Sequence, residues 1–306
     1  MKNVYYPLAG MNYIIDSLSQ ILKNKNPEEK DEIIIYLSAQ VNSYPHVGTL
    51  VNFISAFALA KQIKVAYQVP VRIRVELLES VTGEETVIDG VKYYKNLVNV
   101  KDTAGKTICD KYLPYFKDIL NRLSSRDGIE YEILFFYDYQ KEHLVRQSLL
   151  EVMNNSNVLG EILNPKDGSI RLRFECPECG LVDKHNQNLN IVYQSEDKIV
   201  LKNICPHHGE HHLTITEYNE EKFDMNVPLR YLVKALYLIK SDKRNNTLSV
   251  IVDGGDWSGM WPLRIYMEPL LKLGYREPVN VIYTPTILDW SGSKLSKRMY
   301  VGNNAF

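Results

Sequence analysis

The sequence predicts an α/β protein built on a parallel sheet. Short β-branched apolar runs alternate with segments whose apolar residues recur at helical spacing, and one polar, cysteine-bearing block interrupts the alternation. Strands separated by helices pair in parallel through crossovers, because the chain must return to the same end of the sheet before the next strand begins.

Taken in order, Ile14, Ile15, Leu18, Ile21 and Leu22 space a helix over 10–24, followed by the polar linker "NKNPEEKDE". Residues 32–38, centred on "IIIYL", read as a buried strand. Val47, Leu50, Val51, Ile54, Phe57, Ala58 and Leu59 space a helix over 46–64, and "VRIRVELL" at 71–78 is the next strand. "TVIDGVKYY" reads as a hairpin closed by Asp89-Gly90. A helix at 111–124, a strand at 132–138 and a helix from Lys141 follow. After the block at 165–225, the alternation resumes with a helix at 227–240, a strand at 248–254, a helix at 260–272 and a strand at 279–285. The block therefore reads as an insertion between two halves of one sheet. The expected division is 1–31, an N-terminal helical segment; 32–164, the first half of the main domain; 165–225, the insertion; and 226–306, the second half.

The 306 residues suit one large or two medium domains, at roughly 100–200 residues each. Thirty-six basic and 37 acidic side chains leave a net charge of −1, which gives no broad electrostatic footprint for nucleic acid. No apolar run approaches the ~20 residues of a membrane span, and the start lacks the shape of a signal peptide. A cytoplasmic protein is expected.

Three of the four cysteines cluster. "Cys176-Pro-Glu-Cys179-Gly" and "Cys205-Pro-His-His208-Gly" repeat one frame, ligand-x-x-ligand-Gly. Two such knuckles bring four ligands to one tetrahedral zinc, so Cys176, Cys179, Cys205 and His208 form a predicted site. Four protein ligands leave no open position, which makes the zinc structural. His207, His211 and His212 fall outside the frame, and Cys109, His143 and His185 read as ordinary packing or surface residues.

The stretch "SAQVNSYPHVGTL" at 38–50 lies where a strand turns into a helix, which is where open parallel sheets bind ligands. A helix N-terminus favours anions, Gly48 removes a side chain from the first turn, and His46 adds a donor. Taken alone, it is equally a Pro45-led helix start with a solvent-facing histidine. Near the other end, "DWSGSKLSKRMYV" places Lys294 and Lys297 about Ser296, so that two ammonium groups can close over a polyphosphate; alone it is also a solvated basic loop.

Together, in this order, the two fragments resemble the class I aminoacyl-tRNA synthetases. His46-Val47-Gly48-Thr49 is similar to their HIGH signature, and Lys294-Leu295-Ser296-Lys297-Arg298 to KMSKS. "Asp253-Gly254-Gly255-Asp256-Trp257" resembles their adenosine-holding Gly-x-Asp segment. The two-knuckle insert, "NVPLRYLVKAL", "GGDW" and "GYREPVNVIYTPTILDWSGSKLSK", in one order, are most similar to the class I lysyl-tRNA synthetases. Thr49, Arg298 and Trp257 depart from the family pattern.

The resemblance implies a Rossmann-like catalytic fold. It implies ATP bound by Pro45, His46, Gly48, Thr49, Gly254, Asp256, Lys294, Ser296 and Lys297, with His46, Lys294 and Lys297 acting on the phosphates and Mg²⁺ assisting. The expected substrate is lysine or a relative, activated to an aminoacyl-adenylate. Only eight residues follow Arg298, so no anticodon-binding domain is expected. The acceptor is then the end of a tRNA, or else a small molecule, peptide or carrier protein in a stand-alone ligase. A nucleotide-binding regulator is a third reading, disfavoured by the retained signature residues. Oligomeric state is not legible.

Overall fold

The structure is a computed structural model that describes residues 22–259, 262–288, 292 and 294. Residues 10–21 of the predicted N-terminal helix lie outside the described residues, as do Ser296 and Lys297.

The strands are β1 (Glu32–Ala39), β2 (Val71–Leu77), β3 (Thr82–Ile88), β4 (Val91–Asn96), β5 (Glu130–Phe135), β6 (Leu172–Arg173), β7 (Leu181–Asp183), β8 (Asn190–Gln194), β9 (Lys198–Cys205), β10 (Gly209–Thr216), β11 (Asp224–Met225), β12 (Thr247–Gly254) and β13 (Asn280–Thr284). The α-helices are α1 (Val47–Tyr67), α2 (Ile108–Asp127), α3 (Phe136–Tyr139), α4 (His143–Asn154), α5 (Ser156–Leu163), α6 (Val227–Asn245) and α7 (Glu268–Lys272).

Five strands form the central sheet in the order β13-β12-β1-β2-β5, every pair parallel. The chain moves outward from β1 to β2 and β5, then returns to lay β12 against the other side of β1. That reversal makes a doubly wound, Rossmann-like sheet with its switch point between β1 and β12. Both faces are covered, so β1 reads as a continuous apolar run rather than an alternation. Ile33, Ile35 and Leu37 pack with α1 and α2 on one face. Ile34 and Tyr36 pack with α4 and α6 on the other.

The block at 165–225 is tied to what precedes it. β7 pairs with β4, extending the β3-β4 hairpin to three strands, and β11 pairs with β6. β8, β9 and β10 form a further antiparallel sheet, whose Ile199, Leu201, Leu213 and Ile215 join the core beneath α4 and α6. The hairpin closes at Asp89-Gly90 as read, with φ of 49° and 79°.

Two elements differ from expectation. The strand read over 132–138 stops at Phe135, where the chain enters α3. The buried Glu79 carboxylate accepts from the Phe136 and Tyr137 amides, at 2.8 and 2.7 Å, and caps the turn. A tertiary contact thus overrides the β-propensity of "FFY". The helix read over 260–272 is π-helical over Pro262–Met267 before α7 begins. Pro269 lacks the N–H that would bond the Ile265 carbonyl, so α-geometry is interrupted there.

Candidate active site and metal centre

At the carboxyl end of the sheet, over the switch point, lies a cleft of about 440 Å³. It gathers 38–40, 42–44 and 46–49, though not the predicted Pro45, together with Asp253 to Trp257, 284–287 and Lys294, so distant segments of the chain meet there. Of the residues predicted for nucleotide binding, His46, Gly48, Thr49, Gly254, Asp256 and Lys294 line it.

His46 is the N-cap of α1, and its Nδ1 accepts from the Thr49 amide at 3.4 Å. With Nδ1 as acceptor, a neutral ring carries its proton on Nε2. A Cβ at position 48 would stand 3.0 Å from His46 Cε1, so Gly48 makes room for the histidine's own ring. Gly255 allows a second close approach: a Cβ there would lie 2.5 Å from the Thr284 carbonyl oxygen. Thr284 donates to Asn52 on α1, tying β13 to the helix behind His46.

Lys294 does not stand alone in the cleft. Its Nζ donates to Asp256 Oδ2, closing an ion pair across the mouth between two predicted site residues. An incoming polyphosphate would compete with Asp256 for this ammonium group.

Beneath the mouth, Asp253 accepts from the Tyr231 hydroxyl at 2.5 Å and from the Gly254 amide at 2.8 Å. Burial pushes its carboxyl above the usual range, although both hydrogen bonds act in the opposite sense. Among the described residues it has no salt-bridge partner. Trp257 stacks on Tyr231 at 6.0 Å and walls this corner. Deeper still, Lys234 (5% exposed) pairs with Glu76 (3%) at 2.8 Å, and Ser38 donates to the same carboxylate. Among the described residues, Glu76 Oε1, Tyr266 OH and Tyr283 OH are buried without a hydrogen-bond partner, at a cost of about 1–3 kcal/mol each.

Sequence reading missed Arg230, Tyr231 and Asp253 as individual site residues. Asp253 had a usable signal, an acid at the end of a strand just before two glycines. The others sit within amphipathic patterns where nothing marks the inward polar residues.

The predicted zinc ligands come together: the donor atoms of Cys176, Cys179, Cys205 and His208 lie within 4.8 Å of one another. Cys179 and Cys205 sulfurs are 3.5 Å apart, and His208 Nδ1 is 3.6 Å from the sulfurs of Cys176 and Cys205. Zn–S and Zn–N bonds of about 2.3 and 2.0–2.1 Å give tetrahedral edges of roughly 3.5–3.8 Å, so the set fits zinc. Gly180 and Gly209 close the two knuckles with φ of 72° and 75°, which is why the frame ends in glycine. Burial works against the Cys205 thiolate. Hydrogen bonds from the His207 and His208 amides outweigh it and bring the thiol down to about 7, towards the form a metal binds. The remaining candidates behave as read. His143 pairs with Glu217 at 2.8 Å, and burial pushes the Cys109 thiol up to about 12.

No family model matches the chain, and no curated protein matches it in sequence. Among solved structures it is similar to the methionyl-tRNA synthetase of Mycobacterium tuberculosis in complex with methionyl-adenylate, with TM-score 0.39 and 13% identity over 83% of this chain and 57% of that one. It is also similar to a protein of Campylobacter jejuni described as an arginyl-tRNA synthetase, with TM-score 0.35 and 11% identity over 96% of this chain and 64% of that one. The chain thus spans less than two thirds of either. Its functional reading rests on its own residues. Among the described residues no helix is long and apolar enough to cross a membrane.

Proposed function

We propose that this chain activates an amino acid with ATP in the manner of a class I aminoacyl-tRNA synthetase. The supporting observation is the meeting of His46-Val47-Gly48-Thr49, Gly254-Gly255-Asp256 and Lys294 in one cleft at the switch point. An oxygen of the substrate carboxylate attacks the α-phosphorus, the bond to the bridging oxygen breaks, and pyrophosphate leaves with its electron pair. His46 donates from Nε2 to a phosphate oxygen. Lys294 leaves Asp256 for the β- and γ-phosphates, and Lys297, from the same loop, adds the second cation. Such a reaction depends on positioning and charge neutralisation, to which the Mg²⁺ accompanying ATP contributes. The division into a catalytic domain (32–164 and 226–306) and a zinc-bearing insertion belongs to the same reading, with Cys176, Cys179, Cys205 and His208 holding structural zinc.

Lysine or an amine-bearing relative is the proposed substrate. Asp253, half-buried and without a salt-bridge partner among the described residues, together with the Tyr231 hydroxyl, suits an ammonium group. The acceptor is a tRNA end or, alternatively, a small molecule, peptide or carrier protein. The near-neutral charge favours the alternative.

The test is amino-acid-dependent ATP–pyrophosphate exchange, screened over all amino acids with and without total tRNA. Exchange with lysine or a relative, independent of tRNA, is expected. No exchange with any amino acid sinks the reading.

A further inference from the structure

We propose that Arg230 forms an oxyanion subsite in the cleft and that Asp224, supplied by the cysteine-bearing block, is its positioning residue. The inference rests on the cleft being the ligand site, and it adds a binding group and a link that the two signature motifs do not contain.

Arg230 is 9% exposed, sits in the first turns of α6 and lines the cleft beside Val227 and Leu78. Among the described residues its side chain makes two hydrogen bonds, both from Nη2, to Asp224 Oδ1 at 3.4 Å and to the Met225 carbonyl at 2.9 Å. The buried Nε makes none. The guanidinium lies over the Phe136 ring, 4.9 Å from its centroid, so it is held flat, with its Nη1 edge making no hydrogen bond among the described residues.

Charge decides what that edge takes. Asp224 is 1% exposed and carries two guanidinium groups, Arg173 and Arg230, besides accepting from Ser80 at 2.9 Å and Tyr94 at 2.8 Å. Two guanidinium groups share the Asp224 carboxylate, and the neighbouring acid, Glu79, is held by the Phe136 and Tyr137 amides rather than by either guanidinium. An oxyanion against Arg230 Nη1 would give that guanidinium a partner of its own, and a carboxylate or a phosphate oxygen suits it equally. Asp224 is in β11, whose partner strand β6 carries Arg173, so the posture of Arg230 depends on a block that contributes the metal-ligand cluster.

The test uses wild type, Arg230→Gln, Arg230→Lys and Tyr94→Phe, the last removing one donor from Asp224 while keeping the ring. Calorimetry measures AMP against adenosine, lysine against lysinol, and inorganic pyrophosphate. Arg230→Gln is expected to lose a preference of about ten- to a hundredfold for the anionic member of one pair, the factor for a hydrogen bond to a charged group. Arg230→Lys should keep part of it. Tyr94→Phe should weaken it in the same direction, which a purely structural role for Asp224 would not do. The pair affected tells phosphate from carboxylate. Both preferences intact in Arg230→Gln overturn the subsite while leaving the proposed function standing. Pyrophosphate binding that Arg230→Gln abolishes, with neither nucleotide nor amino acid bound by wild type, keeps the subsite and sinks the proposed function. A wild-type protein that binds no probe sinks both.

Discussion

Lys294 and Asp253 are the two residues whose charges most directly shape the cleft. If Lys294 neutralises the leaving pyrophosphate, Lys294→Ala should slow adenylate formation by roughly 10²–10³, the scale of one lost transition-state partner. The measurement is a single-turnover assay; an unchanged rate would remove this loop from the mechanism. Asp253 makes a different prediction because burial raises its carboxyl pKa. A carboxyl raised in the folded state is no burden below its unfolded value, about 3.9, where it is neutral in both states. Its ionisation then destabilises the fold increasingly as pH climbs towards the folded value, and the penalty is complete above it. Asp253→Asn removes that penalty. It should melt higher than wild type at pH 8 and level with it near pH 3.5, while losing lysine-dependent exchange. Equal or lower melting at pH 8 would show that the Asp253 hydrogen bonds outweigh its burial.

Among the elements, the two cysteine knuckles and α3 show opposite degrees of legibility. The knuckles were readable because x₂ spacing with a terminal glycine imposes its own geometry, whatever surrounds it. One zinc per chain is expected by elemental analysis. Cys176→Ser should drop this below one and speed amide exchange in β7, β9 and β10. Wild-type protein without zinc, and with a melting curve indifferent to chelators, would refute the site. By contrast, α3 was read as strand because its residues favour strands. Only the Glu79 carboxylate, brought from the end of β2, turns "FFYD" into a capped helical turn. Glu79→Gln should destabilise the protein by about 1–3 kcal/mol, measured by denaturant unfolding, because one of the two amides then faces an NH₂ group and loses its acceptor.

Over the whole molecule, near-neutral net charge sets the expectation for any RNA partner. Each neutralised phosphate contributes about −0.9 to the slope of log K against log salt on a duplex, and 36 basic against 37 acidic side chains predict few of them. Binding of tRNA should therefore be weak, shallow in salt and unchanged by an anticodon substitution. Titrations with a tRNA, an anticodon variant and an acceptor-stem minihelix measure this. Tight binding that the anticodon variant loses would overturn it.

Sequence alone determined the parallel alternation, the hairpin, the Cys₃His cluster and the strand-to-helix turn at His46-Val47-Gly48-Thr49. Each of these depends on local spacing: a period of two or 3.6 residues, an x₂ gap, or a glycine where the backbone must turn or make room. Only the tertiary structure decided that Lys294 pairs with Asp256, that Tyr231 and Asp253 form one corner, and that Asp224 reaches Arg230 across a strand boundary. An inward polar side chain on an amphipathic helix carries no periodic mark. Its role appears only when the sheet, the helix and the inserted block have excluded water around it and left its charge to be answered.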